Sequence, residues 1–316
     1  MSLDASIAIL AILLAVGFDF VNGFHDTANA VATIIYTKSL KPGVAIAMSG
    51  VLNFLGALLV GTAVAQVINK IIPAESVTLP IVGAVLLAAV IWNLITWWFG
   101  IPVSSSHCLI ASLFGAGVTA AGMKGVHWHE LWYVVSGLLI SPLVGFGGGA
   151  IMTWLALKMS NEGSNKKMSS EQKAPPQLMR WLHIIASASV SFTHGSNDGQ
   201  KTMGLITLIL ATNFAQYGYK VSQVPFWVMA LAASAMALGT VIGGWRVIRT
   251  VGTKISRERL SHSQGFGASM STAITILIAS HLGAPISTTH TLSSAVAGGT
   301  LAAHGSSKLN PATLKL

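Results

Sequence analysis

Long apolar stretches alternate along the chain with short polar punctuation. The apolar runs cover 5–37, 44–69, 78–99, 101–123 and 131–157, then 181–216, 225–248, 265–282 and 284–304. A helix needs about 20 apolar residues to cross a bilayer, so the pattern predicts an all-α, polytopic membrane protein. Two runs are interrupted by polar residues, near 19–29 and near 193–201, where Gly23, Gly195 and Gly199 would let a helix unwind. Two others, 101–123 and 284–304, open with a Pro- and Ser-rich piece. Proline at a first turn starts a helix after an extended piece, which predicts broken or re-entrant helices that begin within the membrane. The one long hydrophilic stretch, Lys158–Arg180, is rich in Ser, Asn and Lys and contains Pro175-Pro176. It predicts a linker, 158–180, between membrane units 1–157 and 181–316.

The two units repeat each other. Phe20-Val-Asn-Gly-Phe-His-Asp26 aligns with Phe192-Thr-His-Gly-Ser-Asn-Asp198 at an offset of 172, sharing Phe, Gly and Asp. Gly100-Ile-Pro-Val-Ser-Ser-Ser-His107 aligns with Gly283-Ala-Pro-Ile-Ser-Thr-Thr-His290 at an offset of 183. That match continues through Leu109/Leu292, Gly115/Gly298 and Gly122/Gly305. An internal duplication is the simplest cause. Run 131–157 has no counterpart after 284–304, so the expectation is either a protein without that final helix or a truncated sequence.

Composition narrows the class. Hydrophobic residues make up 53% and charged residues 9%, against about 25% charged in a soluble domain. With a mean hydropathy of +0.68, this excludes a soluble globular protein and a disordered one. Cys108 is the single cysteine, so neither an internal disulfide nor a thiolate metal cluster is available. No small-residue cleavage site follows the first run, which reads as a retained span. The net charge of +9 is a matter of position. With the N-terminus outside and one crossing per run, Lys70, Lys124 and Lys220 fall outside and Lys201 falls within a span. All other Lys and Arg fall inside, together with the linker, which is therefore cytoplasmic. The basic charge is a topology signal and nucleic acid is not needed to explain it. Five crossings precede the linker, so the second half enters with opposite polarity. An inverted repeat of this kind is typical of secondary transporters.

Among nine acidic residues, Asp19, Asp26 and Asp198 lie inside apolar runs. Such groups cost several kcal/mol to insert and mark functional sites by default. Asp26 and Asp198 are repeat equivalents. Around them lie Asn22, His25, Thr27 and Asn29 in one copy, and His194, Ser196, Asn197, Gln200 and Lys201 in the other. A structural network gluing helices together is the plainer alternative. Asp19 faces Ser191 in the alignment and reads equally as a packing hydrogen bond or as part of the site. Lys201 either holds an anion oxygen or pairs with Asp198. The clusters Ser104-Ser105-Ser106 and Ser287-Thr288-Thr289 each open a helix. There, hydroxyls, free N–H groups and the positive helix end together form an anion site. Two such ends facing each other suit a tetrahedral oxyanion; N-capping and helix–helix hydrogen bonds are the plainer alternative. His107 and His290 either carry protons or orient the hydroxyls, the latter being preferred.

These motifs resemble the PiT family of inorganic phosphate transporters over nearly the whole chain. The first signature copy reads Gly23-Phe-His-Asp-Thr-Ala-Asn-Ala30 and the second Gly195-Ser-Asn-Asp-Gly-Gln-Lys201, both in the form seen in bacterial low-affinity permeases. The resemblance implies phosphate uptake coupled to an ion gradient. It implies phosphate held between the repeats by Asp26, Asn29, Asn197, Asp198, Lys201, Ser104, Ser105, Ser106, Ser287, Thr288 and Thr289. Coupling cations are expected at Asp26 and Asp198 with Asn22 and His194. Similar bacterial members are proton-coupled and can carry phosphate as a neutral complex with a divalent metal. His25 stands where many relatives have asparagine, which leaves proton or sodium open. The expected partners are phosphate and the lipid of a bacterial inner membrane, with no resident cofactor and self-association left open. A sulfate permease of the same fold is the nearest alternative. An aspartate site favours phosphate, which can donate it a proton at neutral pH. An intramembrane hydrolase using Ser104 with His107 would explain neither the duplication nor the aspartates. No Gly-x-x-x-x-Gly-Lys-Ser/Thr loop is present to drive a pump with ATP.

Overall fold

The computed structural model describes residues 3–160, 177–220, 222–254 and 260–309. Every regular element among them is helical. The first half contains α1 (Leu3–Tyr36), α2 (Pro42–Leu59), α3 (Ala63–Ile68), α4 (Leu79–Phe99), α5 (Ser105–Ala121) and α6 (Trp128–Ser160). The second contains α7 (Gln177–Asn213), α8 (Phe226–Ile242), α9 (Trp245–Lys254), α10 (His262–His281) and α11 (Thr288–His304). Five of them, α1, α2, α4, α5 and α6, are long and apolar enough to cross a membrane; α8 with α9 makes a sixth if the bent pair counts as one span. Leu13, Trp98, Leu143 and Ile151 present their side chains outward, each more than half exposed, as lipid-facing residues do. By contrast α7, α10 and α11 bury Ser, Thr, His and Asn along much of their length.

Packing follows the duplication in a crossed fashion. α1 lies against α8 and α7 lies against α2. In each pair a glycine meets the partner's backbone. Gly23 lies against Met236 and Gly195 against Asn53, while Gly239 lies against Phe20 and Gly56 against Phe192. These contacts exchange with each other under the offsets of 172 and 183 found in the sequence. A Cβ at any of them would strike a carbonyl, so small residues set the helix spacing. Gly145 and Gly149 on α6 do the same against Thr291 and Ala295 on α11.

Three expectations are corrected. The chain does not unwind at 19–29 or 193–201: α1 and α7 run unbroken through both signatures. Their glycines are spent on close helix approach, and Thr27 returns its hydroxyl to the Gly23 carbonyl at 2.7 Å, keeping the turn satisfied. The run 225–248 is not one straight span; α8 and α9 bend by 73° at Gly243-Gly244. The linker is shorter than 158–180, since α6 continues through Ser160 and α7 starts at Gln177; residues 161–176 lie outside the described residues.

The two Pro- and Ser-rich pieces do behave as the sequence predicts. Residues 101–104 and 284–287 precede α5 and α11 in irregular backbone. Each helix is then capped identically: the Ser104 hydroxyl accepts from the His107 N–H and the Ser287 hydroxyl from the His290 N–H, both at 3.1 Å. Both helix starts are buried, with Ser104–Ser106 and Ser287–Thr289 at most 5% exposed.

Candidate functional site

The site grows from the seam where α1 and α7 lie side by side. Their polar residues recur three or four positions apart, which keeps them on one helix face. On α1 these are Asp19, Asn22, Asp26, Asn29, Thr33 and Thr37; on α7 they are His183, Ser187, Ser191, His194, Asp198 and Lys201. The helices run antiparallel. The Asn22 amide donates to Asp198 Oδ2 at 3.2 Å, His194 Nε2 stands 3.8 Å from Asp26 Oδ2, and the Ser187 hydroxyl donates to the Ala30 carbonyl at 2.6 Å. Asn22 and His194 are repeat equivalents, as are Asp26 and Asp198, so the first two contacts are one contact made twice.

The starts of α5 and α11 close over this seam. The Ser105 hydroxyl donates to Asp26 Oδ2 at 3.2 Å and the Thr289 hydroxyl to Asp26 Oδ1 at 3.3 Å. The Asn29 amide donates to Thr288 at 3.2 Å and to Thr289 at 2.8 Å. Lys201, the repeat equivalent of Asn29, donates to Ser106, the equivalent of Thr289, at 2.5 Å. Ser106 in turn donates to the Ile286 carbonyl at 2.7 Å, joining the two helix starts.

Every ionisable side chain in this centre has been taken out of water. Asp26, Asp198, Lys201, His25 and His194 are each 1% exposed or less. An isolated buried charge is prohibitively costly, so each needs a partner. Asp198 has Lys201 at 2.7 Å, and Asp26 has His25 at 2.8 Å. Asp26, His194 and Asp198 each present an atom within 4.8 Å of the others, a spacing that can hold a metal ion.

All the residues predicted from sequence are buried around this seam, with different jobs. Asp26, Asp198, Asn22, Asn29, His194, Lys201, Ser105, Ser106, Thr288 and Thr289 meet in one network. Ser104 and Ser287 spend their hydroxyls as caps. Asn197 donates to Ser280 and to the Ala284 carbonyl, both at 3.1 Å, and accepts from the Ile286 N–H at 3.3 Å. It fixes the extended piece before α11. Lys201 pairs with Asp198 at 2.7 Å. The rings of His107 and His290 pack together with centroids 4.8 Å apart.

Several supporting residues escaped the sequence reading. Asn53 Oδ1 meets His194 Nδ1 at 2.9 Å, and its amide donates to Thr240 at 3.0 Å. Thr96 approaches His25 Nε2 at 3.3 Å. A lone Asn in α2 and a lone Thr in α4 were the available signals. Each had no partner in sequence to single it out.

Comparison with known proteins identifies the family. The model of the phosphate transporter family matches residues 22–315. A Bacillus subtilis (strain 168) protein named "Probable low-affinity inorganic phosphate transporter" is 41% identical over 92% of this chain and 85% of its own length. The low-affinity inorganic phosphate transporter PitB of Escherichia coli (strain K12) is 29% identical, over 92% of this chain and 88% of its own. A solved structure described as the sodium-dependent phosphate transporter superposes with a TM-score of 0.84 at 27% identity, covering 98% of this chain and 93% of that one. With buried aspartates facing duplicated hydroxyl-bearing helix starts, and a family match across nearly all of its length, the chain belongs to the PHO4 phosphate transporter family as a multi-pass membrane transporter and not an enzyme.

Proposed function

We propose that the protein is a secondary active symporter that imports inorganic phosphate across a bacterial inner membrane, driven by protons. The observation that carries this reading is the meeting of two helix starts, bearing Ser105, Ser106, Thr288 and Thr289, at a buried centre holding Asp26, Asp198 and Lys201. Hydroxyls, helix ends and an ammonium favour a tetrahedral oxyanion. Carboxylates in the same space penalise a fully ionised one. Phosphate reconciles the two because it can carry a proton to Asp26 or Asp198, or enter with a divalent cation across Asp26, His194 and Asp198. Sulfate at neutral pH brings no such proton.

Import of an anion against an inside-negative potential costs about 2.3 kcal/mol per charge per 100 mV, which co-transported cations must offset. Sodium in place of protons is the second reading, favoured by the name of the solved neighbour. The test is uptake of labelled phosphate into proteoliposomes under an imposed pH gradient with sodium absent and sulfate as competitor. Accumulation blocked by unlabelled phosphate and untouched by sulfate is expected. Accumulation only under a sodium gradient would transfer the coupling to sodium, and competition by sulfate would overturn the selectivity.

A further inference from the structure

Asp19 is the one aspartate of the seam that the reading above leaves unused. It lies seven residues before Asp26, on the same face of α1, and is completely buried. Neither of its carboxyl oxygens completes a hydrogen bond among the described residues. Its hydrogen-bonding neighbour is the Thr202 hydroxyl of α7, which stands just outside strict bonding geometry. Asp198 and Lys201 are within electrostatic reach. The Thr202 hydroxyl and Asn22 Oδ1 are likewise buried and unpartnered. Asp26 and Asp198 already have basic neighbours at 2.8 and 2.7 Å. Among the described residues Asp19 has no basic nitrogen within ion-pair distance, because the Lys201 ammonium is committed to Asp198 and Ser106.

The repeat makes the point sharper. The residue equivalent to Asp19 is Ser191, whose hydroxyl is satisfied by the Ser187 carbonyl at 3.1 Å. Asp26 and Asp198 match across the duplication, whereas Asp19 does not. The unmatched negative charge lies about midway along α1, on the side of Asp26 that faces outward in the topology read from the basic residues.

The geometry points to a monovalent cation site at Asp19, formed with Thr202, that loads from outside and carries one of the cations coupled to phosphate entry. A buried carboxylate with unfilled oxygen neighbours is stable only when a small hard cation, proton or sodium, neutralises it. This inference rests on the symport reading.

The experiment compares wild-type protein with Asp19→Asn and Asp19→Glu in proteoliposomes. Phosphate counterflow without any gradient is measured first, then accumulation under a one-unit pH gradient without sodium, and under a tenfold sodium gradient at equal pH. The gradient to which the wild type responds names the cation. Asp19→Asn should keep counterflow yet accumulate about tenfold less phosphate, the loss of one coupled cation at that gradient, and Asp19→Glu should restore it. Wild-type accumulation by Asp19→Asn overturns the site. So does loss of counterflow in a variant that still elutes as folded protein. If neither variant folds, Thr202→Val decides. A raised half-saturation concentration for the cation at unchanged phosphate affinity supports the site, and no change removes it. Absence of counterflow in the wild type would defeat the phosphate reading alone. The cation site would then be read from a sodium- or pH-dependent melting shift that Asp19→Asn abolishes.

Discussion

Lys201 is fully buried and holds two helices at once, pairing with Asp198 on its own helix and donating to Ser106 at the start of α5. Replacing it by Met leaves Asp198 buried without its ammonium, and removing one partner of a buried pair costs about 3–5 kcal/mol. Lys201→Met should therefore lower the melting temperature in detergent. The double variant Asp198→Asn/Lys201→Met should recover most of that stability while phosphate uptake stays lost. A double variant as unstable as the single one would mean that Lys201 acts chiefly through Ser106. Asp26→Asn should behave differently. Its amide can still bond to Ser105, Thr289 and His25, so the protein stays folded and loses gradient-driven uptake. Proteoliposomes holding it should show no accumulation above the outside concentration.

At the level of the helix, glycine has two uses, and the sequence does not distinguish them. Gly23 and Gly195 beside buried polar groups suggest unwinding, yet both serve close approach to a neighbouring backbone within an unbroken helix. Gly195→Leu should consequently abolish the folded peak on size-exclusion chromatography, because its side chain would strike the Asn53 carbonyl and nothing soft stands in between. Ser287→Ala should be mild, costing about 1 kcal/mol as a lost N-cap, visible as a small drop in melting temperature. Aspartates in apolar runs and the repeated Pro-x-Ser pieces were legible because each violates its surroundings, and violates them twice. Asn53, Thr96 and Thr240 were not, since one hydroxyl or amide in an apolar helix is ordinary until its partner is known. The bend at Gly243-Gly244 was hidden for a related reason: apolar residues continue on both sides, so hydropathy registers a single run.

Taken whole, the molecule is closed around its centre, with every side chain of the network nearly inaccessible. Transport then requires the α5 and α11 starts to part from the α1–α7 seam, towards one face and then the other. Contacts between halves, rather than the covalent connection, should hold the assembly together. A protease site placed within 161–176 should, after cleavage, leave phosphate uptake unchanged and both fragments co-eluting. Separation of the fragments would show the connection to be essential. The crossed packing of α1 on α8 and of α7 on α2 has a consequence for each half as well. A half-length chain cannot cover the glycine face of its own first helix, since the covering helix comes from the opposite copy. Either half alone would leave that face bare unless a second copy, placed the other way round, came to cover it. Asp19 set against Ser191 is a place where the two halves differ, one carrying a charge and the other a hydroxyl.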